Sequence, residues 1–153
     1  MIVFTTAKGV IEIETFPADA PKAVARVVDL AKHGFYRGQR FHWVQPAVAQ
    51  VGDPQSRDMT KVNDWGRGGS GALTRQVPIG VAEISKRKFV RGIVGLAYQN
   101  GQKPEQADCQ IFIVKIANPA LDGKYAAIGR VITGMAVVDK IEKEDMIKDV
   151  KVR

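Results

Sequence analysis

The sequence is poor in the residues that carry covalent and metal chemistry. It holds one cysteine, Cys109, and two histidines, His33 and His42. A single Cys cannot staple a fold, so a packed core must hold the chain together. It also excludes a cysteine-built metal site, and two histidines leave few ligands for any other. Cys109 opens the apolar run "CQIFIVKI" and reads as a small buried hydrophobe in preference to a reactive thiol. No apolar run approaches the ~20 residues of a membrane-spanning helix, so no membrane partner is expected. The start, "MIVFTTAKGVIEIETF", lacks the basic end and apolar block of a signal peptide. The compartment stays open: cytoplasmic, or periplasmic or secreted if Met1 follows a removed signal peptide.

Repeats, linkers and low-complexity tracts are lacking too, so residues 1–153 are read as a single domain with one core. What is present in excess is positive charge, with 23 Lys and Arg against 16 Asp and Glu and a net +7. Such a balance can attract nucleic acid. The cations are scattered, however, with only Lys86, Arg87 and Lys88 as a cluster, and no aromatic-basic interleaving is found. A solvated basic surface is favoured over a nucleic-acid partner.

Along the chain, Ile11 and Ile13 alternate with Val10, Glu12 and Glu14, the period of a half-buried strand. "MIVFTT" and "GVIEIETF" therefore form a hairpin. In "ADAPKAVARVVDLAKHG", Pro21 suits the first helical position. Val24, Val27, Val28 and Ala31 make an apolar helical face, and Gly34 is a natural stop. A strand is predicted over Arg40–Val44, then a second short apolar one before "GDP". The polar, glycine-rich stretch 52–80 is long for a structureless loop and is either functional or tied down by its own contacts. Its "GRGGSG" is suited to a backbone nest for an anion, with a tight turn packed on the body as the favoured reading. "GIVGLAYQ", "CQIFIVKI", "AAIGRVI" (broken at Gly129) and "IKDVKV" read as strands, and "GMAVVDKIEKE" as a second helix. Many short strands with two distant helices suggest an antiparallel sheet or closed barrel.

"APKAVARVVDLAKHGFYRG", "FHWVQPAVAQVGDP", "GRGGSG" with the later "AEIS", "FVRGIVGLA", "DCQIFI" and "LDGKYAAIGRVITGMAVVDKI" occur in an order that resembles a cyclophilin along essentially the whole chain. The resemblance implies a mainly β fold, a closed eight-stranded antiparallel β-barrel capped by two α-helices. It implies peptidyl-prolyl cis-trans isomerisation of exposed X-Pro bonds, assisting protein folding without a cofactor. The partners implied are proline-containing peptides or unfolded protein segments.

By the same resemblance Trp43, Gln50 and Phe112 hold the catalytic places, Phe112 as the pocket floor. His42, Val48 and Gln110 line the substrate groove, Gln110 holding the peptide backbone. Leu96, Ala97, Tyr98 and Gln99 lie where the family binds residues before the proline. Leu121 and Tyr125 line the far wall, Tyr125 standing where the family usually has His. Ala120 replaces a Trp that helps some cyclophilins bind cyclosporin, so weak cyclosporin binding is implied.

The departure with most chemical weight is Trp43, which stands in the place of the family's Arg. The X-Pro bond turns slowly because amide resonance sets a barrier of ~18–20 kcal/mol. A site lowers it by holding the proline and favouring a twisted amide, whose nitrogen is a better acceptor. An indole offers one N–H and no charge, and cannot supply a guanidinium's charged fork. By analogy with deletion of an oxyanion-hole donor, a loss of roughly 10²–10³ in rate is expected. Arg40 shares a strand face with His42, not with Trp43. The segment from Pro46 to Asp53 is also one residue shorter than the family pattern, with Val48 the stand-in for a large Phe. Trp43 either fills that lost volume as a shallow apolar shelf or covers the barrel as a strand aromatic. An isomerase of reduced activity and a non-catalytic module or chaperone that binds proline-containing segments both fit these residues.

Overall fold

The computed structural model describes residues 1–153, the side chain of Leu73 excepted. The chain opens with the hairpin β1 (Ile2–Thr6) and β2 (Gly9–Thr15), paired from Ile2↔Ile13 to Thr6↔Gly9. Its period of two sends Ile2, Phe4, Ile11 and Ile13 into the core and leaves Val10 exposed. Helix α1 (Pro21–Lys32) follows, with Ala23, Val24, Val27 and Ala31 buried and Val28 packed against the same core. Its first turn has no side-chain cap of its own. Glu83, some sixty positions on in the chain, takes that place: its carboxylate accepts from the N–H groups of Lys22 (3.0 Å) and Ala23 (2.7 Å). A carboxylate there satisfies two orphan donors and complements the helix dipole.

The remaining strands are β3 (Trp43–Val44), β4 (Val48–Val51), β5 (Ile93–Leu96), β6 (Ile111–Val114), β7 (Ala126–Thr133) and β8 (Ile147–Val152). All pairings are antiparallel, in the spatial order β3-β4-β6-β5-β7-β2-β1-β8. The expected closed barrel is corrected here. The sheet is an open half-barrel, because β3 has only two residues and makes no ladder with β8. The two edges meet in one isolated bridge, Arg40↔Met146, before β3 begins. The strand predicted from Arg40 accordingly shrinks to Trp43–Val44.

Two further expectations change. The second helix, α2 (Met135–Lys140), stops before Ile141. Ile141 turns extended and drops into the core at 3% exposure, which ends the helix. Strand β7 continues through Gly129, but its pairing with β5 slips there, from Val94↔Gly129 to Gly95↔Ala127; a Cβ on Gly129 would lie 2.4 Å from the Glu14 carbonyl oxygen, so the glycine permits close strand approach.

The sheet separates two apolar clusters. Its concave face, α1 and α2 enclose the main core. Its other face carries a smaller cluster of Phe16, Phe89, Ile93, Phe112, Val114 and Ala127, with Val48, Leu121 and Tyr125 packed against it. The groove lies on this second face.

Candidate active site

The site begins as one rung across the sheet. Trp43 pairs with Gln50, Gln50 with Phe112, and Phe112 with Gly95. Paired residues share a face, so these four sit side by side. Trp43 is 51% exposed and lines the groove. Phe112 is buried at the bottom, stacked on Phe89 (5.8 Å between centroids) and edge-on to Tyr125 (5.1 Å). Tyr125 stacks in turn on Tyr98 (4.5 Å), whose hydroxyl donates to the Lys124 carbonyl. Leu121 and Val48 close the hollow, which opens into a groove of about 750 Å³.

Gly95 is a site residue that resemblance did not single out. A Cβ on it would lie 2.3 Å from Phe112 Cζ, so the ring lies flat across the sheet only because residue 95 has no side chain. The signal was present as a glycine inside a strand. Gly95 also corrects Leu96. Strand alternation puts Gly95 and Ala97 on the groove face and turns Leu96 inward, where it is 1% exposed in the main core.

The opposite side of the groove comes from the excursion 52–80, which two buried carboxylates hold. Asp53 accepts from the N–H groups of Gln55, Gly66 and Gly68, at 2.8, 2.6 and 3.1 Å. Asp108 accepts from Ser70 N and Oγ (2.7 and 2.5 Å), from Val77 N (2.9 Å) and from Arg26 (2.7 Å). The anion nest read from "GRGGSG" therefore holds anions of the chain itself. Gln110 joins the walls: its amide donates to the Gly66 and Gly68 carbonyls (2.9 and 3.0 Å) and accepts from Gln50 Nε2 (3.0 Å). With its oxygen and both N–H groups engaged, Gln110 is a buried strut and not a hand for peptide backbone. Gln99 also donates to the Gly66 carbonyl (3.2 Å). Trp65, Arg67 and Gln76, which resemblance did not assign to the site, complete this wall.

His42 lies under Gly66, whose added Cβ would come within 3.4 Å of the ring. It is 8% exposed, and neither ring nitrogen has a hydrogen-bond partner. Burial lowers its pKa, with the Asp53 carboxylate pulling the other way. The ring is a neutral wall of the groove.

Arginines are mostly engaged elsewhere. Arg40 donates to the Ser56 and Arg57 carbonyls, and Arg91 forks onto Asp139. Arg67 alone among them lines the groove, from the excursion's side. Two members of the basic cluster are engaged too: Arg87 pairs with Asp19 and stacks over Phe16, and Lys88 faces Asp122. Cys109 is buried, its thiol pKa raised by desolvation, which makes it a poor nucleophile. Among the described residues there is no cluster of metal-binding side chains, and no helix is long and apolar enough to cross a membrane.

A curled antiparallel sheet with an aromatic-floored groove on its outer face is the architecture of a cyclophilin-like protein, and the comparisons agree. The family model for cyclophilin type peptidyl-prolyl cis-trans isomerase matches residues 1–153. A probable peptidyl-prolyl cis-trans isomerase of Brucella abortus is 40% identical over 143 residues, covering 93% of this chain and 71% of the relative. A peptidyl-prolyl cis-trans isomerase of Helicobacter pylori is 35% identical over 148 residues, covering 95% and 82%. A solved cyclophilin type isomerase of Cryptosporidium parvum, crystallised in the presence of the dipeptide Ala-Pro, superposes with a TM-score of 0.81. That match covers 99% of this chain and 98% of the other at 24% identity, and speaks for the fold. The chain belongs to the cyclophilin-type peptidyl-prolyl cis-trans isomerase family.

Proposed function

We propose that this chain is a slow prolyl isomerase that grips exposed proline-containing segments over Phe112. The observation that carries this reading is the rung itself. The hollow is apolar where a proline ring needs it, and the side chain beside Gln50 at its edge is an uncharged indole. Burying the ring against Phe112, Tyr125 and Leu121 holds the substrate. Gln50 offers a neutral amide at the hollow's edge, and Trp43 a single N–H. Neither gives the charge-assisted hydrogen bond that would favour the pyramidal nitrogen of the twisted amide. Arg67 belongs to the excursion's wall, not to the rung. With Ala120 in the turn before Leu121, cyclosporin binding is weak.

The test is an isomerisation assay on a short Ala-Pro peptide. Trp43→Arg is expected to raise kcat/KM by an order of magnitude or more, mostly in kcat. Native turnover equal to that of ordinary family members, or no gain in the variant, sinks the missing-cation reading. A second reading, a module or chaperone that holds such segments without turning them, is favoured by the same indole. It predicts peptide binding with turnover at the uncatalysed rate.

A further inference from the structure

The groove has one exposed charge. Of its lining residues, Asp108 is neutralised by Arg26 and 1% exposed at its side chain, and His42 is neutral. The remaining ionisable side chain with a full charge at neutral pH is Arg67, whose side chain is 76% exposed. Its nearest carboxylate, Asp64, lies at 4.0 Å and is itself largely exposed. A pair of that kind is worth little and yields to a competing carboxylate.

The backbone beneath Arg67 is fixed while the guanidinium is held only by its loose pair with Asp64. Gln110 and Gln99 donate to the Gly66 carbonyl, and Gln76 donates to the carbonyls of Arg67 (3.3 Å) and Gly68 (2.9 Å). Asp53 holds the N–H groups on either side, at Gly66 and Gly68. The turn is thus clamped by four side chains around a fifth with no strong partner, as expected of a residue positioned to meet a ligand.

Its distance from the proline hollow follows from strand geometry. Gln110, which grips Gly66, and Phe112 point to one face, ~7 Å apart. An extended peptide advances ~3.3–3.6 Å per residue. A side chain within reach of Arg67 therefore sits two or three residues from a proline seated on Phe112. We infer that Arg67 is a specificity residue, and that the groove prefers proline segments carrying Asp or Glu two or three positions from the proline. This deepens the proposed function and rests on it.

The test is a set of short Ala-Pro peptides, with Glu, isosteric Gln or Lys placed two and three residues to either side of the proline. Exchange rates and binding are measured by NMR. Glu is expected to be preferred over Gln by about threefold to fivefold in kcat/KM at one of these positions, the range of a part-exposed ion pair. The preference shrinks with added salt. Arg67→Gln abolishes it and Arg67→Glu reverses it toward Lys. Arg153→Gln, the same change in net charge at the far end of β8, retains it. Equal turnover of Glu and Gln peptides, or a preference that survives Arg67→Gln, overturns this inference alone if the all-alanine peptide is bound and turned over. A uniform fall in kcat for every peptide in Arg67→Gln also overturns it, since that marks a catalytic cation. Failure of all peptides to bind overturns it together with the proposed function.

Discussion

The two walls of the groove are built on different physics. The sheet wall is a ladder of paired strands whose groove face carries an apolar cluster, so area buried against Phe112, Phe89 and Tyr125 holds it. The excursion wall has short 3₁₀ turns and no strand, and its turns at Pro54–Arg57 and Met59–Asp64 bury only Ser56. It is held by directional bonds to Asp53 and Asp108 and by the Gln110 strut. The difference teaches that the hollow and the polar arm of one site can fail separately. Apolar packing tolerates gradual change, whereas a buried carboxylate that loses its partners leaves several donors orphaned at once.

Removing the hub of the second wall sharpens that contrast most. Asp108→Ala orphans the Ser70 and Val77 N–H groups and leaves Arg26 only the Val77 carbonyl, and is expected to cost about 3–5 kcal/mol, the range for breaking a buried pair. Hydrogen exchange should locate the damage: amides of residues 66–77 lose protection while β5 and β6 keep theirs relative to global unfolding. Uniform loss across the sheet would break the comparison. Gly95→Ala probes the first wall. The new methyl must push the Phe112 ring outward, an overpacking cost of about 1–3 kcal/mol. The displaced ring fills the hollow, so proline-peptide affinity drops about tenfold while the amides of 66–77 stay protected. A Gly95→Ala protein that binds as tightly as the parent would show that the ring does not set the hollow's depth.

The same division explains what was legible in the sequence. The sheet wall is written in periods. The alternation of Ile11 and Ile13 and the helical spacing of Val24, Val27 and Ala31 specify which side chains enter the core. Applied strictly, that alternation would have kept Leu96 out of the groove, since Gly95 and Ala97 occupy its groove-facing positions. Sheet closure was not legible, because it depends on whether a two-residue edge strand reaches β8. The excursion wall leaves no periodic trace. Asp53 bonds Gly66 and Gly68 thirteen and fifteen residues on, Asp108 reaches back to Ser70 and Val77, and Glu83 caps a helix begun sixty residues earlier. Such bonds join single polar residues across arbitrary separations, so a nest could be suspected from "GRGGSG" but not its occupants. Arg67 was invisible as a groove residue for the same reason: a glutamine clamp, not a pattern, places it.

The smallest expected effect falls on the one side chain caught between the walls. His42 belongs to the sheet side by its backbone, its N–H donating to the Gln50 carbonyl at 3.2 Å, and to the excursion side by its contact under Gly66. Burial depresses its pKa below the ordinary 6.5; Asp53 and the neighbouring Gln110 amide oppose this, and Lys143 adds to it. The sign follows from linkage. As pH falls through 6.5 the unfolded chain takes up this proton first, so the folded state loses stability until the lower folded pKa is reached. The slope cannot exceed about 1.4 kcal/mol per pH unit for one proton. Urea unfolding at pH 8, 7, 6 and 5 should therefore show a decline across the acid half, and His42→Gln should flatten it. Because protonation forces the ring toward water and lifts it from Gly66, the decline should appear first as lost protection of the Gly66 and Gly68 amides, ahead of any change in β5. Parallel curves for parent and variant would place the imidazole in solvent contact and return the excursion wall to its two carboxylates alone.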